Sequence, residues 1–87
     1  MHATGHLDDF SYNPDRLLDT ASLHLRAKND AALARALDIH PPMISKIRHR
    51  RAHVSAFMLI RIHEKTCISI EKLRELMGDS RPFYTAY

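Results

Sequence analysis

The segment from residue 30 to residue 50, DAALARALDIHPPMISKIRHR, constrains the fold more than any other part of the chain. Its pattern predicts two short helices, 30–37 and 41–49, joined by the three-residue turn 38–40. A helix this short is unstable alone in water, so each must bury an apolar stripe against the other. The apolar residues have the spacing that this requires: Leu33, Ala34 and Leu37 on the first helix, Ile39 in the turn, and Ile44 and Ile47 on the second.

Apolar residues at helical spacing predict further helices on both sides of this pair. Asn13 and Pro14 can open a first helix, while Ser55 and Ser69 can cap a fourth and a fifth, which Gly78 closes. Asn29 can cap the second helix. No strand-like alternation of useful length appears. We therefore expect an all-α protein, a compact five-helix bundle that contains a helix-turn-helix. Its expected apolar positions outside the central pair are Leu17, Leu18, Ala21, Leu25, Phe57, Leu59, Ile60, Ile62, Ile70, Leu73, Leu76 and Met77.

Length and composition limit the classes of protein to consider. The chain has 87 residues, of which 45% are apolar, enough for one small domain. It has no apolar run of the roughly 20 residues that cross a bilayer, and its start lacks the features of a secretory signal. A single cysteine, Cys67, builds no intrachain disulfide and is expected as a small buried thiol at a helix end. These features favour a cytoplasmic protein without a membrane partner.

Residues outside the bundle are expected to form two tails. Residues 1–12 show no periodicity and suggest a flexible N-terminal tail, which leaves 13–78 as the folded domain. Residues 79–87 form an aromatic C-terminal tail with Phe83, Tyr84 and Tyr87. Aromatic side chains have large areas to bury. They are expected either to fold back on their own domain or to clasp a second subunit.

Positive charge is concentrated around the central pair of helices. The net charge is +3, and segment 29–54 alone has five cations against two aspartates. A local basic patch attracts polyanions such as nucleic acids.

Residues 29–77 resemble the Cro and lambda-repressor-like helix-turn-helix domain, often called XRE-type. The family string runs roughly L-A-x-x-L-G-V-S-x-x-x-I-S-K-I-E-x-G. Matching residues are Leu33-Ala34, Leu37-Asp38-Ile39-His40 and Ile44-Ser45-Lys46-Ile47-Arg48. The resemblance implies a lambda-repressor-like fold that sets its third helix into the major groove of DNA.

The chain departs from the family string at several positions. Asp38 replaces the turn glycine, and aspartate tolerates the left-handed conformation at some cost. His40 replaces the serine of the turn and is a poorer cap. Asp30 stands where the family often has glutamine, and its charge would repel a phosphate. Pro41 and Pro42 open the third helix, where family members often read bases, and proline has no side-chain hydrogen bond to offer.

The helical period places the residues expected to read bases on one face of the third helix, away from Ile44 and Ile47. Ser45 and Arg48 flank that face, and Arg50, Arg51 and His53 lie in the following loop. The predicted base contacts are Met43, Lys46 and His49. The predicted phosphate contacts are Ser45, Arg48, Arg50, Arg51 and His53.

Other chemistry finds little support in the sequence. The pairs His49 with His53 and His63 with Cys67 lack the third and fourth ligands that zinc normally needs. There is no glycine-rich phosphate loop, and no base or oxyanion site accompanies the cysteine. We expect no enzyme, no metal and no cofactor.

The expected function is therefore a sequence-specific transcription regulator, a repressor of bacterial or phage type. Two copies would present their helices about 34 Å apart on a palindrome, so a homodimer is expected. The alternative is a protein–protein adaptor that has lost DNA reading, or an antitoxin-like module that binds a protein partner through its termini. RNA binding is disfavoured because no aromatic platform accompanies the basic residues.

Overall fold

The computed structural model describes residues 12–79, and within them all regular structure is helical. The five helices are α1 (Pro14–Leu25), α2 (Asp30–Leu37), α3 (Pro41–Arg48), α4 (Ala56–Thr66) and α5 (Ile70–Leu76). The expected all-α class and the expected number of helices are confirmed. In this part of the chain, none of the helices combines the length and the apolar composition needed to span a bilayer.

One hydrophobic core holds the helices together. α1 packs against each of the other four helices, and α3 packs against α1 and α2 alone among them. Two thirds of the predicted apolar positions are buried, and Val54 and Met58 join them in the core. Ile39, Leu25, Ile70 and Leu76 are partly buried against the core. Phe57 and Ile60 depart from the expectation, because both are exposed on α4.

Serine and asparagine caps begin three of the helices as predicted. Asn29, Ser55 and Ser69 each accept a hydrogen bond from the backbone N–H three residues further on. Asn13 does not cap α1 with its side chain, which corrects the expectation. Its backbone N–H instead donates to the Met77 carbonyl at 2.8 Å, and this bond joins the start of α1 to the end of α5.

Left-handed residues end several helices. Arg26, Asp38 and Cys67 cap α1, α2 and α4 with positive φ, as Gly78 does immediately after the Met77 cap of α5. Asp38 thus adopts the left-handed conformation that an aspartate tolerates at some cost. Cys67 lies at a helix end as expected, but it is exposed rather than buried, because the turn places it outside the core.

The packed part of the chain extends slightly beyond 13–78. Tyr12, which the sequence places in the tail, packs against the core, and its hydroxyl oxygen accepts from the Val54 N–H at 3.3 Å. Asp79 forms an ion pair with Arg74, in which Oδ2 and Nε are 3.3 Å apart. The remaining tail residues, with Phe83, Tyr84 and Tyr87, lie outside the described residues.

Candidate nucleic-acid interface

The two faces of α3 have opposite character. Ile44 and Ile47 are fully buried against α1 and α2. Met43 and Lys46 are exposed on the other side of the same helix, Met43 by 38% of its surface. Within residues 12–79 no further helix packs against α3, so this part of the chain leaves the outer face uncovered. It carries every residue predicted to contact bases.

The first turn of α3 has unusual backbone chemistry. Pro41 and Pro42 occupy its first two positions, and His40 makes no side-chain capping hydrogen bond. Prolines have no N–H, so two of the donors that a helix N-terminus normally offers to an anion are absent here. The Met43 N–H is already bonded to the His40 carbonyl at 2.9 Å. The start of α3 therefore offers an anion fewer backbone donors than a helix N-terminus normally does.

His49 lies at the end of the outer face with a fixed ring orientation. Its Nδ1 lies 2.8 Å from the Ser45 carbonyl oxygen, and the Ser45 hydroxyl lies 3.5 Å from the same nitrogen. A carbonyl can only accept, so Nδ1 carries the proton and donates it. The other ring nitrogen, Nε2, is therefore an acceptor in the neutral ring and a donor after protonation. Ser45 is exposed beside it.

Arg48 has a different environment from the one expected of a phosphate contact. Its guanidinium bonds Asp30 through Nε at 3.1 Å and Nη2 at 2.9 Å, and Asp15 through Nη1 at 3.0 Å. Asp19 lies 2.9 Å from Nη2. The side chain is only 23% exposed. Arg48 thus ties α3 to α1 and α2, and in this arrangement it does not reach outward to a duplex.

The same cluster, which we call the Arg48 cluster (Arg48, Arg50, Asp15, Asp19 and Asp30), alters two pKa values. Hydrogen bonds to Asp30 raise the pKa of Arg48 above its ordinary value. Burial opposes this shift, and hydrogen bonds to Asp15 and Asp19 add to it. Burial alone would raise the pKa of Asp15, but hydrogen bonds from Arg48 and Arg50 outweigh it and lower that pKa. Asp30 therefore shares the Arg48 guanidinium with Asp15 and Asp19.

Arg50 follows α3 in a left-handed turn with φ of 62°. A residue with a Cβ carries about 1–2 kcal/mol of strain in this region. Its Nη2 lies 3.2 Å from Asp15 and its Nη1 donates to the Arg48 carbonyl at 2.9 Å. Arg50 is 46% exposed, so part of its guanidinium still faces solvent.

Arg51 and His53 lie along the loop between α3 and α4. An open groove of about 450 Å³ is lined by Met43, Arg51, Ala52, His53, Ser55 and Met58. A second groove of about 280 Å³ lies beside it and is lined by Tyr12, Arg50, Ala52 and His53. The rings of Tyr12 and His53 are 5.3 Å apart. Arg51 and His53 therefore border the outer face of α3 at Met43.

The cations on this side of the molecule differ in whether a carboxylate pairs with them. Within residues 12–79, neither Lys46 nor Arg51 has a carboxylate at ion-pair distance, whereas Arg48 and Arg50 do. Sequence reasoning missed this division because the partners Asp15 and Asp19 lie about 30 residues away on another helix. The described residues also contain no group of three or more histidine, cysteine or acidic side chains arranged to hold a metal ion. Comparisons with protein-family models, with curated proteins and with solved structures each found no match.

Proposed function

We propose that the chain binds double-stranded DNA in a sequence-specific manner, as a homodimeric transcription regulator of repressor type. The observation that carries the proposal is the division of α3 into a buried isoleucine face and an open face with Met43, Lys46 and His49. An eight-residue helix is about 12 Å long and about 10 Å across, and the major groove is about 12 Å wide. The charge excess of the surrounding segment supports a polyanionic partner.

Each residue on the open face has a chemistry suited to a base edge. Lys46 can donate to O6 or N7 of guanine, and the Met43 side chain can contact a thymine methyl group. His49 can accept or donate through Nε2. Ser45, Arg51, His53 and the exposed part of Arg50 are assigned to phosphates, which fix position without reading sequence. Arg48 is assigned a positioning role, because it holds α3 on α1 and α2.

Selection of duplexes from a random library, followed by titration of the selected duplex and a scrambled one, tests the proposal. Lys46→Ala is expected to weaken binding to the selected duplex by about 5- to 150-fold and to reduce discrimination, since one good base contact is worth about 1–3 kcal/mol. The matched control is Lys65→Ala, an exposed lysine near the far end of α4, about 10 Å along that helix from Met58. Its affinity should stay within about twofold. Equal binding of both duplexes by the unaltered protein would contradict sequence-specific recognition.

The protein–protein adaptor remains the second candidate function, and two observations favour it. Arg48 and Arg50 are engaged with aspartates, and Pro41 and Pro42 remove backbone donors from the start of α3. In this case the chain would bind neither duplex even at low salt, where nonspecific electrostatic binding is strongest. An antitoxin-like module that binds a protein partner through its termini belongs to this second candidate function and predicts the same result.

A further inference from the structure

The imidazole ring of His49 is held at the end of α3 by a carbonyl of the same helix. Its Nδ1 donates to the Ser45 carbonyl at 2.8 Å, and the His49 backbone N–H donates to the same carbonyl at 3.0 Å. Both bonds span four residues, so the side chain and the backbone are fixed together. The residue is exposed, as are Ser45 and Lys46 on the same helix. One ring nitrogen is thus bonded to the protein, and Nε2 lies on the far side of the ring.

This bond decides which hydrogen-bonding group the ring presents to a ligand. A neutral imidazole has one N–H and one unprotonated nitrogen. Because the carbonyl oxygen of Ser45 can only accept, the proton is on Nδ1, and Nε2 has a lone pair without a hydrogen. At Nε2 the neutral ring can therefore only accept a hydrogen bond, and a partner must supply a donor.

The base edges in the major groove fall into two classes for such an acceptor. Adenine N6 and cytosine N4 are amino groups and donate, whereas guanine O6 and thymine O4 are keto oxygens and accept. Each base pair has one base of each class, so a single acceptor distinguishes the two orientations of a pair. An acceptor placed against a keto oxygen brings two lone pairs together and leaves both groups without a donor.

We propose that His49 selects an amino base, adenine or cytosine, over a keto base at one position of each half-site. The inference rests on the proposed function, since it requires α3 in the major groove, and it adds a stated class of base to that function. His49 follows Lys46 by three residues, about 4.5 Å along the helix, and base pairs are stacked about 3.4 Å apart. The position read by His49 is therefore within one or two base pairs of the position read by Lys46.

Protonation of the ring reverses this preference. With a proton on each nitrogen, the His49 ring donates at Nε2 as well as at Nδ1. A donor at Nε2 suits O6 or N7 of guanine and O4 of thymine, and it no longer suits an amino group. Histidine side chains change charge between about pH 5 and pH 8, so the two forms can be compared in ordinary buffers.

The charged and titratable groups around His49 come from α1, α2, α3 and the following loop. They are Asp15 and Asp19 of α1, Asp30 of α2, Lys46 and Arg48 of α3, and Arg50, Arg51 and His53 of the loop. The three aspartates pair with Arg48. His53 is the other histidine in this set, so the experiment must separate its effect from that of His49.

Selection of duplexes by the full chain at about pH 8, followed by titration, tests the inference. Duplexes with adenine or cytosine at the His49 position of one strand should bind about 2- to 12-fold more tightly than those with guanine or thymine, the effect of one hydrogen bond. At about pH 5 the preference should move to guanine or thymine. His49→Gln should abolish the movement with pH, because an amide does not titrate. His53→Gln should retain it, and circular dichroism at both pH values shows that each variant is folded.

The position of the ring proton can be measured without DNA. Nitrogen-15 NMR of the full chain at about pH 8 should show the His49 proton on Nδ1. His24 is an internal reference, because its Nδ1 lies 3.1 Å from the Thr20 carbonyl, four residues earlier on α1. His24→Gln should leave the base preference unchanged. A proton on Nε2 of His49 in the neutral ring would overturn the inference.

Failure of this inference can be told apart from failure of the proposed function. A selected half-site in which His49→Gln alters no position would remove His49 from base reading and leave sequence-specific binding intact. A keto base preferred at the His49 position at pH 8 would do the same. Loss of the pH effect in His53→Gln, with its retention in His49→Gln, would assign the effect to His53 and contradict the inference. Recovery of no duplex at either pH would overturn both proposals.

Discussion

Asp30 accepts hydrogen bonds from two nitrogens of the Arg48 guanidinium, Nε at 3.1 Å and Nη2 at 2.9 Å, although 18 positions separate the two residues. From sequence alone, Asp30 repels a phosphate and Arg48 attracts one. The pairing converts both into a clamp between the N-terminal turn of α2 and the C-terminal turn of α3. Charges that look available for a ligand in the sequence are therefore paired with each other in the folded protein.

Loss of Arg48 should destabilise the fold. Arg48→Met leaves Asp15, Asp19 and Asp30 close together without their shared cation. Removal of one partner from a buried ion pair costs about 3–5 kcal/mol, but these carboxylates are partly exposed, so we expect about 1–2 kcal/mol. Urea denaturation measures the change. Arg35→Met, at an exposed arginine of α2, is the control and should stay within about 0.5 kcal/mol.

Stability should fall at acid pH in a way that depends on Asp15. The pKa of Asp15 is lowered from its ordinary value of 3.8, so the unfolded chain binds a proton more readily than the folded one. The stabilisation is present above the ordinary value and is lost as pH falls from there through the folded pKa. Asp15→Asn should flatten that part of the profile, measured by denaturation between about pH 5 and pH 2. Glu64→Gln should leave it unchanged, and an unaltered slope in Asp15→Asn would contradict the assignment.

The salt dependence of DNA binding should show whether Arg51 contacts a phosphate. Arg51→Ala should reduce the slope of log affinity against log salt by about 0.9, the value for one phosphate contact. Lys65→Ala should not change the slope. An unchanged slope for Arg51→Ala would remove this residue from the phosphate contacts, while leaving base reading by Lys46 to its own test.

Removal of the side chain before α4 and removal of the side chain before α1 should have different effects on stability. Ser55→Ala removes the hydroxyl that accepts from the Met58 N–H and should cost about 1 kcal/mol. Asn13→Ala removes a side chain whose Oδ1 is buried with no hydrogen-bond partner in the described part of the chain. It should therefore cost less than Ser55→Ala by thermal or urea denaturation. The opposite ranking would show that the Asn13 amide stabilises the start of α1 in another way.

Relief of backbone strain should stabilise the protein. Arg26 ends α1 with φ of 56°, where glycine has no Cβ penalty. Arg26→Gly should raise the free energy of unfolding by about 0.5–1 kcal/mol, the strain removed less the added freedom of the unfolded chain. Lys28→Gly, at an exposed cation that is not among the positive-φ residues, should lower it or leave it unchanged.

Helical periodicity, serine caps and the apolar spacing of 30–50 are local properties, and they predict the helices and most of the core from sequence. The exposed Phe57 was misassigned because α4 has apolar residues on more than one side, and periodicity does not show which side has a partner. The sequence does not reveal that Arg48 pairs with Asp15, Asp19 and Asp30, because these residues are distant from it in the chain. Long-range pairing depends on how α1 lies across α2 and α3, which local patterns do not determine.

Among the described helices α3 packs on α1 and α2 alone, so a change confined to the outward side of α4 reaches the packing of α3 only by way of those two helices. Changes on the outward side of α4 can therefore alter that surface while the outer face of α3 keeps its own shape.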